Sequence, residues 1–149
     1  AEKPFDLTAL ADVIIRSSDN IDFHVLQALL RLVSPIFRDM FSLSSGLDNQ
    51  DDHIKNGLPI IDLPEDSESL HFLLTIIYPH IDEPKLDDCH LIWKVCKAAQ
   101  KYCMDIIEGK LRKLVLASDR MNAEAFRMYA IAVELGWMDV VTIAAQNTL

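Results

Sequence analysis

The apolar period of this chain switches at Leu26, and that switch constrains the fold more than any other feature. Upstream of it, Ala11-Asp-Val-Ile-Ile-Arg-Ser17 is a β-branched run, and Ile21-Asp-Phe-His-Val25 alternates apolar with polar. Both are strand patterns. The tetrad Ser17-Ser-Asp-Asn20 between them is turn chemistry, so the pair predicts a hairpin. From Leu26 the spacing is helical, with Leu26, Leu29, Leu30 and Val33 on one face. Ser34-Pro35 then places a preferred N-cap residue before proline at the first helical position. Ile36, Phe37, Met40 and Phe41 form a second apolar stripe behind it. Two helices therefore meet at Ser34.

One more strand pattern follows, Pro59-Ile-Ile-Asp-Leu63. It comes after a polar stretch from Ser44 to Gly57 holding Gly46, Asn49, Asp51, Asp52 and Asn56, which reads as a long loop. Asp51-Asp52 there is either a partner contact or simply solvated. Pro64-Glu-Asp-Ser-Glu68 supplies acidic residues where a helix N-terminus favours them, and Leu70, Leu73, Leu74 and Ile77 carry that helix to Tyr78-Pro79. Helical patterns fill about 88–101, 104–117, 122–135 and 137–148, with Gly136 as the stop between the last two. The strands are few and early. The expectation is an α+β fold: a small three-stranded sheet with a helical cluster, then a C-terminal helix pair.

Charge narrows the function. The net charge is −9. Duplex phosphates are bound mainly by Lys and Arg, so nucleic acid is not an expected partner. Anionic membrane surfaces are disfavoured for the same reason. No apolar run approaches the ~18 residues needed to span a bilayer, and Ala1-Glu-Lys-Pro4 shows no signal-peptide pattern. The three cysteines, Cys89, Cys96 and Cys103, are an odd number confined to one helical region, unlike a secreted disulfide framework. A reducing compartment, cytoplasm or nucleus, is expected.

No local motif carries chemistry. The cysteines are seven apart and would share a face of a continuous helix; with His90 they could be imagined around zinc. Zinc sites pair ligands at shorter spacing, however, and no CxxC or HxxxH occurs. Buried cysteine behaves as a small hydrophobe, so Cys96 and Cys103 are read as core. His24, His53, His71, His80 and His90 are dispersed, and HExxH, GxSxG, P-loop and GxGxxG patterns are missing. No catalytic, cofactor-binding or metal-binding residue is assigned. A Cys/His-dependent enzyme or metal-binding protein remains the competing class; stoichiometric zinc or one hyperreactive thiol would favour it. Trp93 and Trp137 are read as packing residues, with an interface role as the alternative.

Several segments taken together resemble the BTB/POZ family. They are Asp12-Val13 at the first strand, Phe23 ending the second, and Ser34-Pro-Ile-Phe-Arg-Asp-Met-Phe41. Leu63-Pro-Glu-Asp66 leading into Leu70–Tyr78, and Ala98-Ala-Gln-Lys-Tyr102, complete the likeness. It covers about 11–117, and the wording around Ser34 is closest to BTB domains of filamentous fungi. Residues 118–149 resemble the start of a BACK-like helical extension. The resemblance implies a non-enzymatic interaction module that self-associates, recruits a partner protein, or does both. It also offers a role as substrate adaptor for a cullin-type ubiquitin ligase. Asp12 is then a dimer-interface group, against the alternative of a solvated strand edge. Cullin-binding members carry a hydrophobic-x-Glu motif in the stretch corresponding to Ser42–Leu58, which contains no Glu here. Leu43 and Leu47 are the apolar anchors available in its place. The family's His-Lys pair after the second strand is replaced by Leu26-Gln27, and His24 stands two residues too early to substitute for it.

Overall fold

The computed structural model describes residues 4–6, 9–44, 54–55, 57–79, 88–117 and 125–137. Their elements are β1 (Val13–Arg16), β2 (Asp22–Val25), α1 (Gln27–Val33), α2 (Pro35–Ser44), β3 (Ile54–Lys55) and β4 (Leu58–Asp62). The helices α3 (Ser67–Ile77), α4 (Cys89–Lys101), α5 (Asp105–Ala117) and α6 (Ala125–Leu135) follow. The fold class is the α+β one expected. The helix expected over 137–148 lies outside the described residues.

The hairpin forms where turn chemistry predicts it. The Ile21 amide donates to Ser17 Oγ at 2.9 Å and the Ser17 amide to the Ile21 carbonyl at 2.9 Å. Asn20 takes the left-handed conformation, φ 62°, which Asn tolerates better than most residues. The sheet runs β2-β1-β4-β3, with β1 antiparallel to β2 and parallel to β4. It has four strands rather than three. The extra one, β3, is cut from the stretch read as loop and pairs antiparallel with β4. Gly57, at φ +78°, makes that turn.

The register assigns two faces. Val13, Ile15, Phe23 and Val25 point into the core shared with the helices. On the other face His24, Ile14 and Ile60 stand side by side, all buried, with Asp22, Arg16 and Asp62 in the next row. His24 is buried there with no hydrogen-bond partner on either ring nitrogen.

Phe23, Leu30, Phe37, Phe41, Leu73, Leu74 and Ile77 are core as expected, whereas Leu29 is only partly buried. Phe5 also joins the core: it is fully buried, its ring packs on Phe23, His71 and Tyr78, and its carbonyl accepts the His24 amide. Cys103 departs from expectation. The α4 helix ends at Lys101, and the Cys103 and Met104 amides donate back to the Gln100 and Ala99 carbonyls. That double bond pattern is a Schellman stop, whose reversal residue takes a left-handed backbone. Cys103 is that residue, at φ 54°, so it is exposed instead of buried and shares no helix with Cys89 and Cys96.

Candidate functional site

The α1–α2 hairpin is organised by one hydroxyl. Ser34 is fully buried; its Oγ accepts the Phe37 amide at 3.1 Å and donates to the Tyr102 carbonyl at 2.6 Å. The first bond caps α2, and the second ties the helical corner to the α4–α5 turn. Phe37 and Phe41, one turn apart, then point inward, the Phe37 ring stacked on Phe41 at 5.9 Å and tilted against Tyr102 at 4.8 Å.

The opposite side of this hairpin is apolar and open. Leu32 is 74% exposed and Leu43 is 72% exposed, with Ile36 also exposed. Ile36 and Leu43 are seven apart and share a face of α2. Ile36 was expected in the inward stripe with Phe37 and Phe41 and instead faces out. Leu47 lies outside the described residues. Leu32 carried a legible signal: it falls off the Leu26, Leu29, Leu30, Val33 stripe.

Asp12 sits exposed just before β1. Its Oδ1 accepts the Gln27 amide at 2.7 Å, and the Gln27 side chain donates to the Asp12 carbonyl at 3.2 Å. Asp12 thus caps α1 from the start of the neighbouring strand, a role local sequence could not reveal. Leu26 gives its amide to the Tyr78 hydroxyl at 3.0 Å.

A second surface runs along α4. Trp93, Lys94, Lys97 and Lys101 lie on its outer side. Lys94 pairs with Asp66 at 2.6 Å, Lys97 with Glu134 at 2.9 Å and Lys101 with Glu65 at 3.1 Å. Each ammonium is balanced by a carboxylate, so the row is not a free cationic stripe. The Trp93 indole N–H donates to Glu134 at 2.7 Å, and His90 stacks on its ring. Trp137, by contrast, is a core residue, 1% exposed.

The electrostatics are those of structure. Arg16 and then Lys55, both bonded to Asp22, hold its carboxyl down at about 2 against the opposing effect of burial. Burial pushes the Cys96 thiol up, with the Glu108 charge adding to it, the reverse of what a nucleophile needs. Burial and the bond to Glu65 likewise raise Tyr102. Among the described residues no three His, Cys, Asp or Glu side chains converge as a metal site, and no helix is long and apolar enough to cross a membrane.

Comparison with known proteins agrees with the geometry. A family model described as "BTB/POZ domain" matches residues 1–119. Among solved structures, the BTB domain of zebrafish PATZ1 superposes with a TM-score of 0.53 at 16% identity, over 76% of this chain and 81% of that one. A search of curated proteins finds no match.

Proposed function

The chain belongs to the BTB/POZ domain family, and we propose that it works as a non-enzymatic interaction module that self-associates, recruits a partner protein, or does both. BTB/POZ domains are protein–protein interaction modules. The observation that carries the reading here is the outer side of α1–α2, with Leu32 and Leu43 largely in water and Ile36 between them in sequence. Single exposed leucines are ordinary. Three large aliphatic side chains on one short helical hairpin are what an interface core covers.

Asp12 is the proposed dimer-interface residue, near the start of α1. Leu43, with Leu47, is the proposed partner surface. Light scattering on the whole chain over a range of concentrations tests self-association. A concentration-dependent doubling of mass supports it, and a strict monomer leaves partner recruitment alone.

A second reading is an adaptor for a cullin-type ubiquitin ligase, favoured by the exposure of Leu43 on the last turn of α2. A Leu43→Asp, Leu47→Asp double variant should lose binding to a cullin N-terminal fragment while its melting curve barely moves. No binding by the unmodified chain removes the adaptor reading. A cytoplasmic or nuclear setting and a fungal affinity are proposals of the same kind. They rest on cysteine usage and on the wording around Ser34.

A further inference from the structure

The inner face of α4 is spent on the core, where Ile92, Val95, Cys96 and Ala99 are buried. Its outer face carries Trp93, Lys97 and Lys101 at successive turns. Trp93 is partly buried, and three contacts hold its side chain in place. They are the N–H bond to Glu134, the His90 ring stacked at 5.7 Å, and the Lys97 ammonium 5.9 Å from its ring centroid. An indole fixed in this way loses little conformational freedom when a partner covers it.

Trp93 lines two grooves. One, of about 490 Å³, lies between α4 and α6 and is lined also by Cys89, Ala130, Ile131 and Arg127. The other, of about 370 Å³, lies between α4 and the start of α3, where Glu65, Asp66 and Ser69 face Lys94, Lys97 and Lys101. Ser69 is 3% exposed and its hydroxyl has no hydrogen-bond partner. Buried hydroxyls are normally bonded, so the wall of this groove holds hydrogen-bonding capacity that the chain itself does not use.

The two linings together carry four cations, Lys94, Lys97, Lys101 and Arg127, against three carboxylates, Glu65, Asp66 and Glu134. The chain as a whole carries −9. The outer face of α4 is thus locally positive on an acidic molecule. The lysines are charge-paired, yet an ammonium has three donors and each gives one to its carboxylate. The Lys97 and Lys101 side chains are 41% and 50% exposed, which leaves the remaining donors within reach of a partner.

We propose that the outer face of α4 is a docking surface for an acidic peptide segment of another protein. The segment sets a bulky apolar side chain against Trp93 in the larger groove and its carboxylates on the lysine row. This surface uses no residue of the α1–α2 hairpin and stands or falls separately from the interface proposed there.

The test is titration of the whole isotope-labelled chain with synthetic peptides, read by magnetic resonance at its two indole N–H groups. The Trp93 signal is assigned by its loss in Trp93→Phe. Peptides with one Phe or Leu among Asp and Glu, at varied spacing, should move that signal. They should leave in place the signal of Trp137, which is buried with its N–H on Glu108 at 2.8 Å. The same peptides with Lys and Arg for the acids should not bind. Trp93→Ala should weaken the acidic peptides by about tenfold or more, as loss of an interface anchor does, whereas Leu43→Asp should leave their affinity unchanged. A Trp93 signal that stays put with every peptide, or that acidic and basic peptides move equally, overturns the proposal. Binding abolished by Leu43→Asp overturns it too, because the α1–α2 surface is then the seat. Should Trp93→Ala fail to fold, a Lys97→Gln, Lys101→Gln double variant decides. Its exposed ion pairs contribute little to stability, so its melting curve should stay near the parent's while the acidic peptides weaken by about tenfold. Unchanged affinity in either variant overturns the proposal.

Discussion

Replacing Ser34 by alanine removes one oxygen and leaves two buried backbone groups without their partner. The Phe37 amide loses its cap, and caps of this kind contribute ~1 kcal/mol, within a range of about 0.5–2. The Tyr102 carbonyl loses its hydroxyl donor inside the core, and an unsatisfied buried group costs about 1–3 kcal/mol. Together they amount to ~3 kcal/mol, a large part of the ~5–15 kcal/mol that holds a domain folded. At ~2–4 °C per kcal/mol for a chain of this size, the melting temperature should fall by about 6–12 °C. Asp88 supplies the matched control. It caps α4 through the His90 amide at 2.8 Å, is exposed, and among the described residues is hydrogen-bonded to no other element. Asp88→Ala should therefore cost only the cap, ~1 kcal/mol. Urea titrations of both variants beside the parent measure the difference. If Ser34→Ala costs no more than Asp88→Ala, the bond to Tyr102 contributes nothing and the account of that corner is wrong.

Three further outcomes follow from the geometry. Cys103 pays for its left-handed backbone with side-chain strain, so Cys103→Gly should exceed Cys103→Ala in stability by about 1 kcal/mol, measured under reducing conditions; equality would contradict the turn assignment. His24→Leu removes two unsatisfied nitrogens from a buried sheet face and should raise stability by about 1–3 kcal/mol, whereas a loss would show that the imidazole has a partner. Asp22 is held at about 2, below its unfolded value of ~3.9, so its stabilising effect is present above pH ~4 and is lost as pH falls through about 2. The destabilisation caused by Asp22→Asn should accordingly shrink between pH 4 and pH 2 in denaturant titrations; a gap that stays constant with pH would argue against the Arg16–Asp22 bond.

What could be read from the residues depended on how local its cause was. The hairpin at Ser17–Asn20, the Ser34-Pro35 corner and the Gly136 stop all follow from short-range chemistry and stand where the sequence predicts them. Strand β3 was legible in principle, because Asn56-Gly57 is a hairpin dipeptide, but the surrounding polar residues masked it. Cys103 was misjudged because seven-residue spacing says nothing about where a helix ends, and cysteine is not a usual reversal residue. Asp12 on the Gln27 amide, Ser34 on the Tyr102 carbonyl and Trp137 on Glu108 join residues 15, 68 and 29 positions apart. No periodicity encodes such pairs. The outward turn of Leu32 was visible on the helical wheel, but that of Leu43 on α2 needed the packing of Phe37 and Phe41 to define the inner side.

The parallel pairing of β1 with β4 has a consequence for how the chain acquires its shape. Ile14 lies beside Ile60, and between them in sequence come β2, α1, α2 and β3. During synthesis β1 finds β2 almost at once, but its other edge has no partner until β4 has emerged. Closing so wide a loop is slow compared with forming a hairpin, so the sheet's central ladder is expected late. Until then the open edge of β1 is a place where nascent chains can pair with one another. Quick formation of the α1–α2 hairpin, which shortens the effective distance between β1 and β4, protects the growing chain from that mispairing. Ser34, which holds the corner of that hairpin, is therefore expected to bear on the rate of folding as well as on stability.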